Sequence, residues 1–153
     1  MIVFRLSKAA YSNDLSGKGA EKYGGRWNSK GVPAIYTCNS RALCVTEIAV
    51  HTPLGNTPLN YKIITIEIPE STKLRELSSK ELPVDWNLLP HSHSTQELGD
   101  TFLNEGKQLV LKVPSAVVQG EFNYLINPKH KDFRKVKIKS SEAFNFDGRL
   151  FRK

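Results

Sequence analysis

One stretch of the chain, Tyr23–Thr37, has the sequence YGGRWNSKGVPAIYT and joins a glycine-rich segment to an apolar one. Its first part closes the segment Ser12–Gly31, which is rich in Gly, Ser, Asn and Lys and is predicted to be a long loop. Its last part, Pro33–Thr37, is predicted to be a strand that ends around Tyr36. A loop of this length inside a small domain is usually either functional or disordered. The stretch therefore indicates a strand of a sheet that is entered from a candidate functional loop.

Regular elements are predicted on both sides of this stretch. Ile2–Leu6 precedes it as a short strand, and Tyr61–Ile68, which is β-branched and bounded by prolines, follows it as the clearest strand. Between them, Asn39 or Ser40 can cap a helix that runs to about His51 and is stopped by Pro53.

The second half of the chain adds one helix and several short strands. Ser94-Thr95-Gln96-Glu97 is a capping-box pattern that opens a helix to about Asn104. The short strand candidates are Leu109–Val113, Ala116–Val118, Tyr124–Ile126, Val136–Ile138 and Ala143–Phe146. Many short strands with a few helices predict the α+β class, with short mixed β-sheets in a single domain over residues 1–153.

Composition narrows the class of protein. Hydrophobic residues make up 39% of the 153 residues and charged residues 24%, which is ordinary for a globular domain. The apolar runs are too short to span a bilayer, and the first residues lack the pattern of a secretory signal. Cys38 and Cys44 alone do not make a disulfide framework. We therefore expect a cytoplasmic location and no membrane partner.

The formal net charge is +7, and many of the cations lie near the C-terminus. Such a surplus attracts polyanions, which include nucleic acids, nucleotides and acidic protein surfaces. Equally, a run of charges can form a solvated face with no partner. The charge alone leaves these alternatives open.

Three polar residues are candidates for chemistry. Arg26 follows two glycines, and such a loop lets backbone N–H groups and a guanidinium approach a phosphate, although the pattern also occurs in plain turns. Glu47 lies at the margin of the apolar side of the predicted helix, as a carboxylate facing a cleft or as an edge-of-core group paired with a cation. Ser115 follows a strand and either projects into a site or begins a turn.

The sequence offers little for a metal. His91 and His93 have no carboxylate or thiol pair nearby that would complete a zinc site, and Cys38, Cys44 and His51 match no ligand spacing. No P-loop, dinucleotide fingerprint or nucleophile elbow is present. We therefore expect no metal.

Taken in order, the motifs resemble the RES domain, the toxin half of a bacterial toxin–antitoxin family. The matching patterns include FRL at Phe4–Leu6, GGRWNSKG at Gly24–Gly31, VPAIYT at Val32–Thr37, VPSAVV at Val113–Val118 and EFNYLINPKH at Glu121–His130. The likeness covers nearly the whole chain, and its two longest patterns are specific.

The resemblance implies an ADP-ribosyltransferase-like fold and particular site residues. It implies Arg26, Glu47 and Tyr36 as catalytic residues, with the serine of the family's name at Ser115. The implied NAD⁺-binding residues are Arg26, Trp27, Tyr36, Ser115 and Asn123. NAD⁺ would be the substrate, with no other cofactor.

The resemblance also implies an activity and a partner. We expect cleavage of the nicotinamide–ribose bond of NAD⁺ with water or phosphate as acceptor, which would deplete cellular NAD⁺. Mono-ADP-ribosylation of a protein is the alternative. A cognate antitoxin, Xre-like and DNA-binding, would occlude the active site, so that nucleic acid is met only through it. Two readings outside this class are a basic nucleic-acid-binding module and a catalytically dead interaction protein.

Overall fold

Seven strands form one mixed sheet in the computed structural model, which describes residues 1–153. The strands are β1 (Ile2–Lys8), β2 (Ile35–Cys38), β3 (Tyr61–Glu67), β4 (Leu74–Glu76), β5 (Val110–Pro114), β6 (Phe122–Ile126) and β7 (Lys137–Phe144). Their order across the sheet is β4-β5-β6-β2-β1-β3-β7, and only β4 and β5 run parallel. The predicted α+β class is confirmed, with a single mixed sheet in place of several.

Three α-helices accompany the sheet: α1 (Lys18–Tyr23), α2 (Arg41–Ala49) and α3 (His93–Glu105). Short 3₁₀ turns lie at Ala9–Tyr11, Phe133–Lys135 and Gly148–Phe151. The helix expected after Asn39 or Ser40 is confirmed as α2, because the Ser40 hydroxyl accepts a hydrogen bond from the Leu43 N–H at 3.1 Å. This bond satisfies one of the free donors of the first turn.

Helix α1 lies inside the segment that was predicted to be a loop. Gly17 precedes it with φ of 75° and Gly24 follows it with φ of 72°, so that left-handed backbone brackets both ends of a six-residue helix. A glycine adopts such angles without steric cost, and this is why a glycine-rich sequence can hold a short helix. The prediction of a continuous loop over Ser12–Gly31 is wrong for this part.

The start of α3 also differs from the prediction. Its N-cap is Ser92 rather than Ser94, and no side chain makes a capping hydrogen bond there. The Ser94 hydroxyl instead donates to Asp85 Oδ1 at 3.0 Å, and so ties the helix to the preceding loop. The capping-box prediction is therefore wrong in position, although the helix itself is present.

Two strand predictions are corrected. Ala116–Val118 is a turn and not a strand, because the Ser115 hydroxyl accepts from the N–H groups of Val117 and Val118. The two strands predicted after Val136 are a single strand, β7. The short edge strand β4 was not predicted, since three residues carry too little periodicity to be recognised.

Strand alternation places the core and the site. On β5, Val110 packs into one buried cluster while Leu111 and Val113 pack into another, together with Phe102 and Leu103 of α3. Helix α2 packs on β1 and β2 through a third cluster. Strands β5 and β6 pair antiparallel, so that Val113 lies opposite Asn123. This pairing brings Ser115 and Asn123 to the end of the sheet that α2 reaches.

Candidate active site

Glu47 is the point at which three distant segments meet. Its Oε1 accepts a hydrogen bond from Ser115 Oγ at 2.9 Å and another from Asn123 Nδ2 at 2.6 Å. The three side chains come from α2, from the residue after β5 and from β6. Oε2 makes no hydrogen bond within the protein. The carboxylate is therefore fixed through one oxygen and free to accept from a ligand through the other.

Ser115 is locked in place by its own turn. Its N–H donates to the carbonyl of Glu121 at 2.8 Å, and its hydroxyl oxygen accepts from the N–H groups of Val117 and Val118. With two donors already at the oxygen, the hydroxyl hydrogen is left to point at Glu47. The serine thus begins a turn and also serves the site, which combines the two readings of its sequence position.

Asn123 carries an unsatisfied acceptor. Its Nδ2 faces Glu47, while its Oδ1 is buried and has no hydrogen-bond partner. The reverse orientation of the amide would place Oδ1 against the carboxylate oxygen, where two acceptors repel each other. A buried acceptor without a partner is destabilising, and a donor from a ligand would relieve it. Any hydrogen-bond donor that reaches this atom would satisfy it.

A cavity of about 750 Å³ opens beside Glu47. This volume lies within the usual range for small-molecule sites, about 300–1,000 Å³. Its walls bring together residues from β1, α1, the glycine-rich loop, α2 and the segment before α3. The polar and charged lining includes Arg5, Asp14, Lys18, Arg26, Tyr36, Glu47, His51, Asn87, His91 and Asn123. None of the cations beyond residue 123 lines it.

A second cavity of about 180 Å³ adjoins the first. The two share four lining residues, which are Arg5, Tyr36, Glu47 and Asn123. The smaller space is enough for water or a small anion but not for a nucleotide. Glu47 therefore stands between a large compartment and a small one.

Arg26 lies in the wall of the larger cavity. Its Nη1 donates to the carbonyl oxygens of Trp86 at 2.7 Å and Leu88 at 2.9 Å, which ties the glycine-rich loop to the segment before α3. Burial lowers the pKa of the guanidinium, and the nearby Glu47 charge opposes this shift. The guanidinium remains the charged form, since an arginine is not deprotonated in proteins. Its other nitrogens make no hydrogen bond and can hold an anion.

Tyr36 and Trp27 both line the larger cavity and also make structural contacts. The Tyr36 hydroxyl donates to Asn28 Oδ1 at 2.7 Å and accepts from the Trp27 N–H at 3.0 Å. Burial raises the pKa of this phenol, so it stays protonated. Trp27 contributes to the cavity lining but is only 2% exposed and belongs to the core cluster with Phe102. A stacking contact between Trp27 and NAD⁺ thus has little surface available in the free protein.

Arg5 lines both cavities and was not assigned a role from the sequence. Its Nη1 donates to the Asp14 carbonyl at 2.7 Å. Burial lowers the pKa of its guanidinium, and the Asp14 charge opposes this shift. The signal available in the sequence was an arginine within the apolar strand Ile2–Leu6, where a cation needs a specific reason to be buried.

Some of the histidines and cysteines come together: the thiols of Cys38 and Cys44 are in hydrogen-bond contact, and His51 and His91 both line the larger cavity. His93 pairs with Glu97 at 3.3 Å on α3, and Cys38 and Cys44 are buried with free thiols. No group of three His, Cys, Asp or Glu side chains is arranged to hold a metal ion. None of the helices has the length and apolar character needed to cross a membrane.

The fold and site define a class of small α+β protein with one mixed sheet and a Glu–Ser–Asn cluster beside a cavity. The chain matches the RES domain family over residues 2–147 and therefore belongs to it, so that the resemblance is confirmed. The chain is a toxin of the RES family.

Curated relatives carry toxin names. The Prs ADP-ribosylating toxin of Sphingobium sp. is 37% identical over 148 residues, covering 93% of this chain and 89% of that protein. Toxin Res of Photorhabdus laumondii is 37% identical over 152 residues, covering 98% and 97%. The toxin–antitoxin complex MbcT–MbcA of M. tuberculosis contains a similar fold, with a TM-score of 0.74 at 21% identity over 98% of this chain and 86% of that one.

Proposed function

We propose that this chain cleaves the nicotinamide–ribose bond of NAD⁺. The observation that carries the proposal is the Glu47 carboxylate, held by Ser115 and Asn123 at the wall of a cavity of about 750 Å³. A relative at 37% identity is named as an ADP-ribosylating toxin, and ADP-ribosylation consumes NAD⁺. The cluster and the cavity support that chemistry for this chain.

Glu47 would act on the developing positive charge. When the bond between the nicotinamide nitrogen and ribose C1 breaks, nicotinamide leaves with the electron pair and the ribose becomes oxocarbenium-like, as in glycoside cleavage. A fixed carboxylate that accepts from a ribose hydroxyl through Oε2 stabilises this state. One preorganised contact of this kind typically changes the rate by about 10²–10³.

Arg26 and Arg5 supply the positive charge that the diphosphate of NAD⁺ requires. Both line the larger cavity, and the free nitrogens of Arg26 can contact phosphate oxygens. Because both guanidinium groups are partly withdrawn from water, their attraction for an anion is screened less than at an exposed surface. Tyr36 would act by shaping the loop that carries Arg26.

The group that attacks ribose C1, the acceptor, decides which reaction the enzyme catalyses. Attack on C1 by water, with loss of a proton, gives ADP-ribose, whereas attack by inorganic phosphate gives ADP-ribose 1″-phosphate. The smaller cavity beside Glu47 favours an acceptor of this size. We therefore favour NAD⁺ degradation.

Transfer to a protein is the second candidate. It is supported by the name of the relative from Sphingobium sp.. In that case the label of adenine-labelled NAD⁺ would remain on a protein band after denaturation, whereas degradation leaves it on a small molecule.

An antitoxin is the proposed restraint. The similar fold in M. tuberculosis was solved within a toxin–antitoxin complex, and the relatives are named as toxins. We propose a cognate, Xre-like and DNA-binding antitoxin that covers the cavity and reaches its arginines with carboxylate groups. In this arrangement the toxin itself would not bind nucleic acid, and only the antitoxin would contact DNA.

The deciding experiment mixes the purified protein with NAD⁺ and follows free nicotinamide, with and without inorganic phosphate. Release by the parent protein and none by Glu47→Gln supports the proposal. Absence of release with and without phosphate overturns NAD⁺ degradation. If adenine-labelled NAD⁺ also leaves no label on a protein band in a cell extract, the nucleic-acid-binding module or the inactive interaction protein is favoured. In cells, expression should lower NAD⁺ and growth, and co-expression with the antitoxin should restore both.

A further inference from the structure

The loop that carries Arg26 makes few hydrogen bonds of its own. Within Gly24–Ser29, the Gly25 N–H donates to the Asn28 carbonyl at 2.9 Å and forms an isolated bridge. Several remaining backbone groups of this loop are bonded to side chains of other elements. One of these side chains is that of Tyr36 on β2, and the others are those of Gln96 and Asp100 on α3. Asn28 adds local bonds from its Nδ2 to the carbonyls of Ala20 and Val32, so the position of Arg26 depends both on nearby residues and on α3.

Gln96 of α3 holds two carbonyl groups of the loop. Its Nε2 donates to the Gly25 carbonyl at 3.0 Å and to the Asn28 carbonyl at 3.2 Å. Since both partners are acceptors, only a donor can occupy this place, and the orientation of the amide is thereby fixed. The two carbonyls flank Arg26 and Trp27 in the chain. Gln96 thus closes the turn on which Arg26 stands.

Asp100 and Gly99 complete the contact one turn further along α3. Asp100 Oδ1 accepts from the Ser29 N–H at 2.9 Å. A Cβ added to Gly99 would lie 1.7 Å from the Trp27 carbonyl oxygen, so the loop rests directly on the helix backbone. Positions 96, 99 and 100 share one side of a helix because of their spacing. One side of α3 therefore accommodates the loop from Gly25 to Ser29.

We propose that Gln96 and Asp100 are positioning residues for Arg26, acting together with the close approach at Gly99. This inference rests on the proposed function, in which Arg26 binds the diphosphate of NAD⁺. Neither side chain lines the cavity, so each acts through the loop and not by contact with the substrate. Misplacing a group by about 1 Å can cost up to about a hundredfold in rate. A displaced Arg26 would also lose contacts with the diphosphate and therefore affinity for NAD⁺.

The test is a double-mutant cycle on NAD⁺ affinity, measured by calorimetry in the Glu47→Gln background to prevent turnover. Gln96→Met keeps the length and neutrality of the side chain but removes its donor. We expect it to weaken NAD⁺ binding roughly tenfold to a hundredfold, the loss of about one hydrogen bond between Arg26 and the charged diphosphate. In Arg26→Ala protein, the same change should alter the affinity by less than about twofold, because coupled residues are not additive. Gln108→Met, outside the cavity and the loop, is the matched control.

Substitutions of Asp100 provide a second test of the proposal. Asp100→Asn retains an oxygen that can accept from Ser29 and should bind NAD⁺ within about threefold of the parent, whereas Asp100→Ala should resemble Gln96→Met. The proposal is overturned if Gln96→Met lowers NAD⁺ affinity equally in the presence and absence of Arg26, or if it does not lower the affinity at all. Equal affinities of Asp100→Asn and Asp100→Ala overturn it as well.

A third measurement needs no substrate. Amide hydrogen exchange at Ser29 and its neighbours should be faster in Gln96→Met and in Asp100→Ala than in the parent, while α2 stays unchanged. If the parent does not bind NAD⁺, the proposed function fails, and exchange alone then decides whether α3 holds the loop. Unchanged exchange in both variants would show that it does not.

Discussion

Replacing Glu47 with glutamine removes one negative charge while keeping the size of the side chain. The glutamine carbonyl oxygen can take the place of Oε1 and accept from Ser115 and Asn123, which donate at 2.9 and 2.6 Å in the parent. Its Nε2 then occupies the place of Oε2. An acceptor open to the cavity thus becomes a donor, and a ribose hydroxyl loses both its partner and the nearby charge.

The substitution is expected to reduce kcat far more than it reduces the free energy of unfolding. A hydrogen bond to a charged group is stronger than a neutral one by about 1 kcal/mol, so two retained bonds lose roughly 2 kcal/mol of unfolding free energy. For a domain of this size, that lowers Tm by less than about 8 °C. The loss of one preorganised electrostatic contact raises the barrier by about 3 kcal/mol or more, which reduces kcat by at least about a hundredfold.

The assay follows nicotinamide release from NAD⁺ alongside thermal melting. Glu142→Gln is the matched control, because Glu142 is an exposed carboxylate that pairs with Arg41 at 3.2 Å outside the cavity. We expect parent-like release from the control and almost none from Glu47→Gln. If Glu47→Gln releases nicotinamide within about tenfold of the parent, the reasoning on the carboxylate is refuted.

Four further outcomes are expected. Arg26→Ala should weaken NAD⁺ binding in calorimetry more than it lowers turnover, and unchanged affinity would limit this arginine to a structural role. Tyr36→Phe removes a donor to Asn28 and an acceptor for Trp27, and it should lower the free energy of unfolding by about 1–3 kcal/mol in denaturant melts. Gly99→Ala should cost at least about 1–3 kcal/mol by the same measurement, since its Cβ meets backbone; a stable variant would show that the loop can shift. Without an antitoxin, duplex DNA should not bind at submicromolar strength in about 150 mM salt, because phosphate contacts alone rarely reach that affinity.

Some of this structure follows from local chemistry that a sequence displays. Helix α2 begins at Arg41 because the hydroxyl of the N-cap Ser40 can accept from Leu43, and the spacing of the apolar residues sets Glu47 at the margin of the apolar side. The strand Tyr61–Glu67 follows from its β-branched residues between prolines. In such cases the determinant and its effect lie within one or two turns of each other.

Other features depend on contacts between residues far apart in the chain. Asn123 and Glu47 are 76 residues apart, and their bond exists because β6 pairs with β2 and β5 in one register. The anchoring of Arg26 to the carbonyls of Trp86 and Leu88 spans 60 and 62 residues and involves backbone atoms, which carry no residue-specific signal. No local pattern could have revealed these contacts.

The two halves of the site are fixed by different means, and this has a consequence for how substitutions act. Glu47 is held by Asn123 on β6 and by Ser115 in the turn that follows β5, whereas Arg26 stands on a loop that depends on α3 and on the segment before it. Local opening costs less in loops than in sheet strands, so the arginine side should loosen first. Substitutions around α3 are therefore expected to act mainly on affinity for NAD⁺, and substitutions around β5 and β6 mainly on the bond-breaking step. The separation of these two effects would show that binding and chemistry are supported by distinct parts of one small fold.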